Sequence, residues 1–398
     1  MTECGMANQA ERIRIRSILV AAFTTGLVSF AVLYSPQPLL HLVAADYRVT
    51  PAASALTISL PSLMLAVSSI AMLWLGRRFP AAKVLPLAVL ASGVVNMGVW
   101  MSPWWAGVVA GRTVFGLLAG VIPAAVVGYL AAEIPAERMG RAMSWYIAGT
   151  GAGGLLGRLI AGLLTEPFGY RASLLGIGAV ALAFGLILLV AFPKPVVGDA
   201  ARPPGRLDLA GLGQALCNPR AASIYLLGFF AMSSFVAIFN YLPFELSSPR
   251  FGLSQSSLTL SFLPLALGVF MVPIFGMFYD RLGPRVMTSL AFFLLLTGSL
   301  VTLTRSIPVL FLGIMLIALG AFAGHSSATA TLGRQREVDP AYAASLYMFC
   351  YYMGSAISGY LAGMAYDSGG WSAIITATAI LCGLGVGVAL AVLPRNPH

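Results

Sequence analysis

Few side chains in this sequence can do chemistry, and their placement is unusual. Arg112 and Arg158 stand inside long apolar stretches, whereas no Asp or Glu lies deep in any such stretch. A charge near mid-membrane costs about 2.5–3.5 kcal/mol on insertion scales, so it normally faces a bundle interior or a water-filled cavity. Two readings are open for each arginine. It binds a polar or anionic solute, or senses protonation nearby, from a central cavity; or it snorkels, or bonds to carbonyls freed by glycine-rich helices. His325, followed by Ser326 and Ser327, is the titratable group inside its stretch with an ordinary pKa near neutrality. It is either a proton site or a packed hydrogen-bond partner. Asp46 and Glu245, at the ends of two stretches, are the nearest acidic alternatives for proton coupling. Tyr34, Gln37, Asn240, Tyr241 and Tyr347 supply uncharged polar groups that either contact a solute or satisfy a neighbouring helix backbone.

Other chemistries are poorly served. No Gly-x-x-x-x-Gly-Lys-Ser/Thr sequence occurs and no glycine precedes a lysine, which argues against ATP-driven work by this chain. The histidines, His41, His325 and His398, form no cluster with acids or a nucleophile in sequence, so an enzyme is not expected. Cys4, Cys217, Cys350 and Cys382 show no CxxC spacing, so neither a metal nor a disulfide framework is suggested, and no cofactor is expected.

The elements that must position these groups follow from composition. With 59% hydrophobic residues, 9% charged residues and a mean hydropathy of +0.90, a soluble chain would lack polar surface to cover itself. Twelve stretches are long enough to cross about 30 Å of hydrocarbon as helices. They fall near 17–45, 51–75, 83–102, 104–132, 141–165, 170–192, 221–246, 254–279, 285–304, 307–332, 341–366 and 371–393. We number them spans 1 to 12. The expected fold is therefore an all-α integral membrane bundle of twelve transmembrane helices. Counted from the far ends of spans 4 and 5, Arg112 and Arg158 both lie about 10–12 Å deep.

Charge sets an expected orientation. With the N-terminus, even loops and C-terminus on one side, that side holds 17 of the 23 basic residues. Its net charge is +8, against 0 on the opposite side, so both termini are expected in the cytoplasm. The basic balance then reports topology and contact with an anionic bilayer, not nucleic acid.

The chain also repeats itself. Gly153, Ala161, Gly162, Glu166, Gly169 and Tyr170 recur as Gly354, Ala362, Gly363, Asp367, Gly370 and Trp371, each 201 positions later. Ser144 and Tyr146 recur as Ser345 and Tyr347 at that offset. Between the copies, residues 193–220 carry Pro193, Pro195, Pro203, Pro204 and Gly205, which read as a cytoplasmic linker with a short amphipathic helix near Leu207–Leu216. The expected division is two pseudo-symmetric six-helix halves, 1–192 and 221–398, around that linker.

The turn Gly276-Met277-Phe278-Tyr279-Asp280-Arg281-Leu282-Gly283-Pro284-Arg285 resembles the Gly-x-x-x-Asp-Arg-x-Gly-x-Arg signature of the major facilitator superfamily. Gly276 would let helices approach, Gly283 would allow a tight turn, and Asp280 would accept bonds from a helix N-terminus or a cytoplasmic arginine as part of a latch. The first-half counterpart, Gly76-Arg77-Arg78-Phe79-Pro80, departs from the pattern at the acid and the second glycine. Gly111-Arg112-Thr113-Val114-Phe115-Gly116 is similar to the Arg-x-x-x-Gly pattern of span 4 in many members. Gly149-x-x-x-Gly153-Gly154-Leu155-Leu156-Gly157-Arg158 resembles the antiporter motif of the drug-efflux branch, with Gly154 replacing proline and Arg158 replacing glycine. Gly149, Gly153 and Gly157, four residues apart, read as helix-packing contacts.

With Tyr34-x-x-Gln37-Pro38 in span 1, the whole chain resembles bacterial twelve-span sugar- and drug-efflux permeases. The resemblance implies a major facilitator fold with spans 1, 4, 7 and 10 lining a cavity. It also implies a secondary active transporter in the bacterial inner membrane, working as a monomer and exporting a small organic solute against protons. Uptake or exchange of an anionic metabolite is the alternative that two buried arginines without a deep acid suggest.

Overall fold

The computed structural model describes residues 3–75, 80–193, 195 and 209–395. The turn at Gly76-Arg77-Arg78-Phe79, most of the linker (with Lys194, Arg202 and Arg206) and His398 lie outside the described residues, as does the side chain of Cys4. Among the described residues the secondary structure is helical throughout, without a strand.

Spans 3 to 7 are α5 (Ala81–Met101), α6 (Trp105–Glu133), α7 (Ala136–Phe168), α8 (Tyr170–Ala191) and α10 (Pro219–Ser247), and span 10 is α13 (Ile307–Gly333). Spans 1 and 2 are each interrupted. Span 1 runs as α1 (Glu3–Tyr34), a 3-10 turn (Gln37–Leu39) and α2 (Leu40–Tyr47). Span 2 begins as α3 (Pro51–Ser54) and continues as α4 (Leu56–Leu75). In the linker, α9 (Leu209–Cys217) forms where the short helix is expected, with Tyr225 Oη donating to the Ala215 carbonyl at 3.3 Å.

Ten segments are long and apolar enough to cross a membrane, and two of them hold two crossings each. Gln255–Val301 joins α11 (Gln255–Leu260) to α12 (Pro264–Val301) over 47 residues, and Pro340–Val392, α14, runs for 53. At 1.5 Å per residue these would span about 70 and 80 Å, more than twice a hydrocarbon core. Each turns back at a glycine that leaves helical geometry, Gly283 at φ +78° and Gly370 at φ +60°. A positive φ costs glycine little and other residues much, so these two positions make spans 8 and 9, and spans 11 and 12, separate. The count is therefore twelve, with both ends of the chain at one end of the bundle, which we term the terminal end.

In the first set of six, α1 packs on α7, α5 on α8, and α6 on α4 and α5; in the second, α10 packs on α14 and α12 on α13. The two sets meet where α4 lies along α14 and α7 reaches α11. Large apolar side chains face outward, Val190 at 91% and Phe270 at 78% exposure, as hydrocarbon contact requires.

The α1–α7 packing shows why span 5 is rich in glycine. A Cβ on Gly149, Gly153 or Gly157 would come within 2.3, 2.0 and 2.4 Å of the carbonyl oxygens of Phe23, Leu27 and Ala31. Glycines at every fourth residue of α7 thus meet carbonyls at every fourth residue of α1, and no side chain fits between. Gly354, the repeat of Gly153, meets the Phe229 carbonyl of α10 in the same way, at 2.5 Å. Gly276 corrects its sequence-based expectation. Among the described residues nothing lies within 4 Å of its Cβ position, so it brings no two described helices together.

Gly153→Ala and Gly276→Ala should therefore diverge in thermal unfolding of the detergent-purified protein. Overpacking at Gly153 costs about 1–3 kcal/mol or more, while the Gly276 variant stays within about 0.5 kcal/mol of the parent. Equal melting temperatures for the two variants would contradict this packing.

Candidate functional site

The site is built on broken helices. Proline has no amide hydrogen, so it leaves the carbonyl four residues earlier without its helical donor. Pro36 does this to Val32, and Pro61, inside α4, does it to Thr57. Leu33 is also released, because α1 stops at Tyr34 and the chain tightens into the 3-10 turn.

Arg112 collects all three. Its Nε donates to the Thr57 carbonyl at 2.7 Å, Nη2 to Leu33 at 2.8 Å and Nη1 to Val32 at 3.3 Å. The guanidinium lies 4.7 Å from the centre of the Phe115 ring, and the residue is 0% exposed. Of the two readings open from sequence, this geometry matches backbone capture. The carbonyls are released by prolines and a helix end, not by glycine-rich helices. Gly116, one turn further along α6, allows the approach, since its Cβ would lie 2.5 Å from Pro61 Cα.

Arg158 is placed differently. Its Nε donates to Gln37 Oε1 at 2.5 Å and its Nη1 folds back to the Gly154 carbonyl at 2.6 Å. The guanidinium covers the Tyr34 ring at 4.1 Å. A Cβ on Gly154 would sit 3.3 Å from Nη1, so the small residue there makes room for the folded-back side chain. The two departures from the antiporter pattern thus belong together.

Gln37 passes the connection across the bundle. Its Nε2 donates to Asn240 Oδ1 at 2.7 Å, linking α7, the span 1 turn and α10 in one buried chain. Asn240 Nδ2 is buried without a partner, as are Ser59 Oγ and Ser358 Oγ. A Cβ on Gly359 would lie 2.2 Å from Ser59 Oγ and 3.1 Å from Asn240 Nδ2, so these two polar groups converge on one bare stretch of α14. Buried polar groups normally have partners, which makes the unspent Asn240 donor, joined through Gln37 to a buried guanidinium, the chemically distinctive feature of the site. The structure therefore brings together Tyr34, Gln37, Arg158 and Asn240.

Two other candidates form a second cluster. His325 Nδ1 and Tyr347 Oη are 2.9 Å apart, and the Tyr351 ring stands 4.7 Å from the imidazole and stacks on Tyr347. Tyr241 belongs to neither cluster. Its hydroxyl donates to the Gly359 carbonyl at 2.6 Å and its ring stacks with Phe244 and Tyr366.

The acidic candidates are already matched by bases. Asp46 accepts from Arg171 at 2.8 and 3.0 Å and from the Tyr170 hydroxyl. Glu245 accepts from Arg250 Nη1 at 3.0 Å, and that arginine also holds the Leu303 and Thr304 carbonyls.

Around the far end, away from the termini, the two sets of helices are closed upon each other. Glu166 of α7 accepts from the backbone amide of Ser256 at 3.2 Å and from its hydroxyl, and Gln255 Nε2 donates to the Pro38 carbonyl at 3.3 Å. A Cβ on Gly162 would stand 2.1 Å from Thr259 Oγ1, and one on Gly363 would stand 2.3 Å from Ala52 Cα. These glycines are 201 residues apart in the repeat, and each lets one set of helices touch the other. Sequence reasoning missed Gln255, Ser256, Thr259 and Ser59. Glu166 and the glycine pair carried a signal, since they are repeat positions.

The Major Facilitator Superfamily model matches residues 19–336 and 267–398 of this chain. This protein belongs to the Major Facilitator Superfamily. Among its superfamily relatives, an uncharacterized MFS-type transporter of Bacillus subtilis, YybF, is 30% identical, over 90% of this chain and 89% of that protein. The inner membrane transport protein YnfM of Escherichia coli is 31% identical, over 90% and 86%. A bacterial homologue of the human lysosomal transporter Spinster, solved in an inward-facing and occupied conformation, shares the fold at a TM-score of 0.74, with 14% identity and coverage of 94% and 95%. The peptide transporter POT with alafosfalin shares it at 0.72, with 16% identity and 94% of both chains covered. The protein is thus a multi-pass membrane transporter, not an enzyme.

The superfamily signature at the span 8–9 turn has a concrete geometry here. Asp280 accepts from Arg334 Nη2 at 2.6 Å, Arg334 lies 4.8 Å from the Tyr279 ring centre, and Arg285 Nε donates to the Leu393 carbonyl at 2.7 Å. Gly283 makes the turn, while Arg281 is exposed. These bonds tie the turn to spans 10 and 12.

Arg112→Leu should destabilise the protein strongly, because it orphans the Leu33 and Thr57 carbonyls at about 1–3 kcal/mol each, while Val32 keeps the Ser35 hydroxyl as a donor. Arg112→Lys should recover part of that loss, with fewer donors and no fork. Thermal unfolding in detergent is the check, and a leucine variant as stable as the parent would remove the clamp.

Proposed function

We propose that this chain is a secondary active transporter that moves a small polar organic solute by alternating access, with Arg158, Gln37, Asn240 and Tyr34 as its recognition element. One observation carries the reading. A buried guanidinium is matched by a neutral amide, not a carboxylate, and the amide chain ends on an unspent Asn240 Nδ2. A solute oxygen reaching Nδ2 and the donors that the guanidinium has not given to Gln37 or Gly154 would satisfy both. The Gln37–Asn240 bond runs from the first six spans to the last six, so solute competing for it would loosen one half from the other.

In this reading residues 1–192 and 221–398 are the moving halves, joined by 193–220. The basic excess at the terminal end supports a cytoplasmic position for both termini in a bacterial cell. The closed far end is then the outer gate, with Gly162 and Gly363 as its contact points. The Asp280–Arg334 pair braces the inner end. Export coupled to protons fits the glycine stripe of span 5, and His325 with Tyr347 is the proton site, since Asp46 and Glu245 are held by arginines. Proton-independent exchange of an anionic metabolite is the second reading, favoured by the uncompensated charge of Arg158. The protein works as a monomer in either case.

Proteoliposomes of purified protein, screened with cationic drugs, sugars and organic anions while internal pH is followed, test both readings. Substrate-evoked proton movement that His325→Gln abolishes supports coupled export; anion exchange without proton movement replaces it with the second reading. Arg158→Gln should weaken solute binding by about 1.5–3 kcal/mol, roughly ten- to a hundredfold, and Arg158→Lys by less. Full transport by Arg158→Gln would remove the arginine from recognition.

Alternating access requires the far end to open. Gly162→Leu should widen the distance between spin labels on the far ends of spans 5 and 8, and should slow transport. An unchanged distance distribution would exclude that contact as a gate.

A further inference from the structure

A second cationic site lies at the terminal end, well away from Arg158. Arg12 and Arg16, one turn apart on α1, and Arg138 and Arg141, three residues apart on α7, line a recess of about 320 Å³. Leu19 and Ala142, both buried, lie behind them and give the recess an apolar wall. Its size is at the lower end of the range for small-molecule sites.

Among the described residues the charge is not balanced from within. Arg14, between the two α1 arginines in sequence, turns away and pairs with the buried Glu133. Arg138 has a loose pair with Glu11 at 3.8 Å, with both side chains more than half exposed, a contact worth little. Among the described residues, no carboxylate lies within 4 Å of Arg12, Arg16 or Arg141. Like charges at these helical spacings repel, and the recess is lined by one such pair from each helix. An orientation signal needs only positive charge on one side of the membrane. It does not need four guanidinium groups around a walled recess.

We propose that this recess binds a phosphate-bearing anion, either the headgroup of an anionic phospholipid or a soluble phosphate compound. Guanidinium forks match phosphate oxygens in pairs, and the arginines approach from two helices, so one phosphate can be held from both sides. The apolar wall accepts the carbon attached to the phosphate. Because α1 and α7 both carry residues of the Arg158 site further along, an anion here also ties together the terminal ends of the two helices that hold that site.

Protein purified in a neutral detergent and stripped of lipid provides one arm of the test, with inorganic phosphate against chloride as the probe. Nanodiscs of phosphatidylcholine with and without phosphatidylglycerol provide the other. Thermal stabilisation by phosphate in detergent identifies a soluble anion; retention of phosphatidylglycerol in native mass spectrometry, without a phosphate effect, identifies a headgroup. The double variant Arg16→Gln/Arg141→Gln should bind about tenfold more weakly in whichever arm responds. Arg336→Gln/Arg395→Gln, which removes the same charge elsewhere on the terminal end, should bind as the parent does. Should the first double variant fail to fold, Arg16→Lys/Arg141→Lys keeps the charge and should still bind more weakly than the parent. The proposal is overturned if neither probe binds, if the variants that alter the recess bind as the parent does, or if the control pair loses binding equally.

Discussion

Everything in the first six spans depends on one constraint, that a carbonyl in hydrocarbon cannot go without a donor. Prolines at 36 and 61 break that rule in two neighbouring helices, and Arg112 from a third helix repairs it, with Ser35 Oγ sharing the Val32 carbonyl. Arg112 is suited to this because its donors form a rigid planar fork, which reaches Val32, Leu33 and Thr57 together. A lysine would present a point charge to three separated oxygens. The repair fixes the interrupted geometry of span 1, and only that geometry presents Gln37 from a short 3-10 turn, buried between α7 and α10. The candidate site therefore rests on an arginine that does not touch it.

The glycine stripe of α7 supplies the second half of that positioning. Because α7 lies directly on the carbonyls of Phe23, Leu27 and Ala31, the distance between span 1 and span 5 is set by backbone against backbone. Small-residue contacts of this kind are how helices associate tightly where no hydrophobic force drives them together. Arg158 sits one residue beyond the last of these glycines. Its reach to Gln37 and its approach to Tyr34 follow from that spacing. A contact made by flexible side chains would leave the 2.5 Å bond to Gln37 without a fixed frame.

The class of fold, the twelve crossings and the glycine packing were legible in the sequence because each rests on a pattern along one helix or on a repeat. Apolar length gives the spans, and fourfold spacing gives the stripe. The positive-φ glycines show where a helix turns back. The site was legible in part. Tyr34, Gln37, Arg158 and Asn240 stood out as polar groups in apolar surroundings, and they meet. Arg112 stood out for the same reason, yet its partners are carbonyls. Sequence could have shown this from Pro36 and Pro61, but only by knowing that spans 1, 2 and 4 touch. Ser59 and Gly359 were not legible, since a serine or glycine in a membrane helix is ordinary until its neighbour across the interface is known. Gly276 shows the opposite error, a motif glycine to which packing was assigned and whose Cβ position meets nothing within 4 Å among the described residues.

The two buried arginines also differ in what they leave over. Arg112 gives its donors to carbonyls, whose partial charges offset part of the cost of burying a cation, and a ring covers one side of the guanidinium. Arg158 gives one bond to a carbonyl and one to an amide, and further compensation comes from the Tyr34 face and, more distantly, the Phe262 ring. Neither has a carboxylate, but only Arg158 is connected to polar atoms that are themselves unpaired. Filling those positions with a fixed protein group would stabilise one arrangement of the halves and hold it there. Leaving them unfilled keeps the closed far end dependent on contacts that can be exchanged, the Gln37–Asn240 amide pair and the Glu166–Ser256 bonds. In the proposed alternating-access cycle, an incompletely satisfied interface is what allows both states to remain accessible.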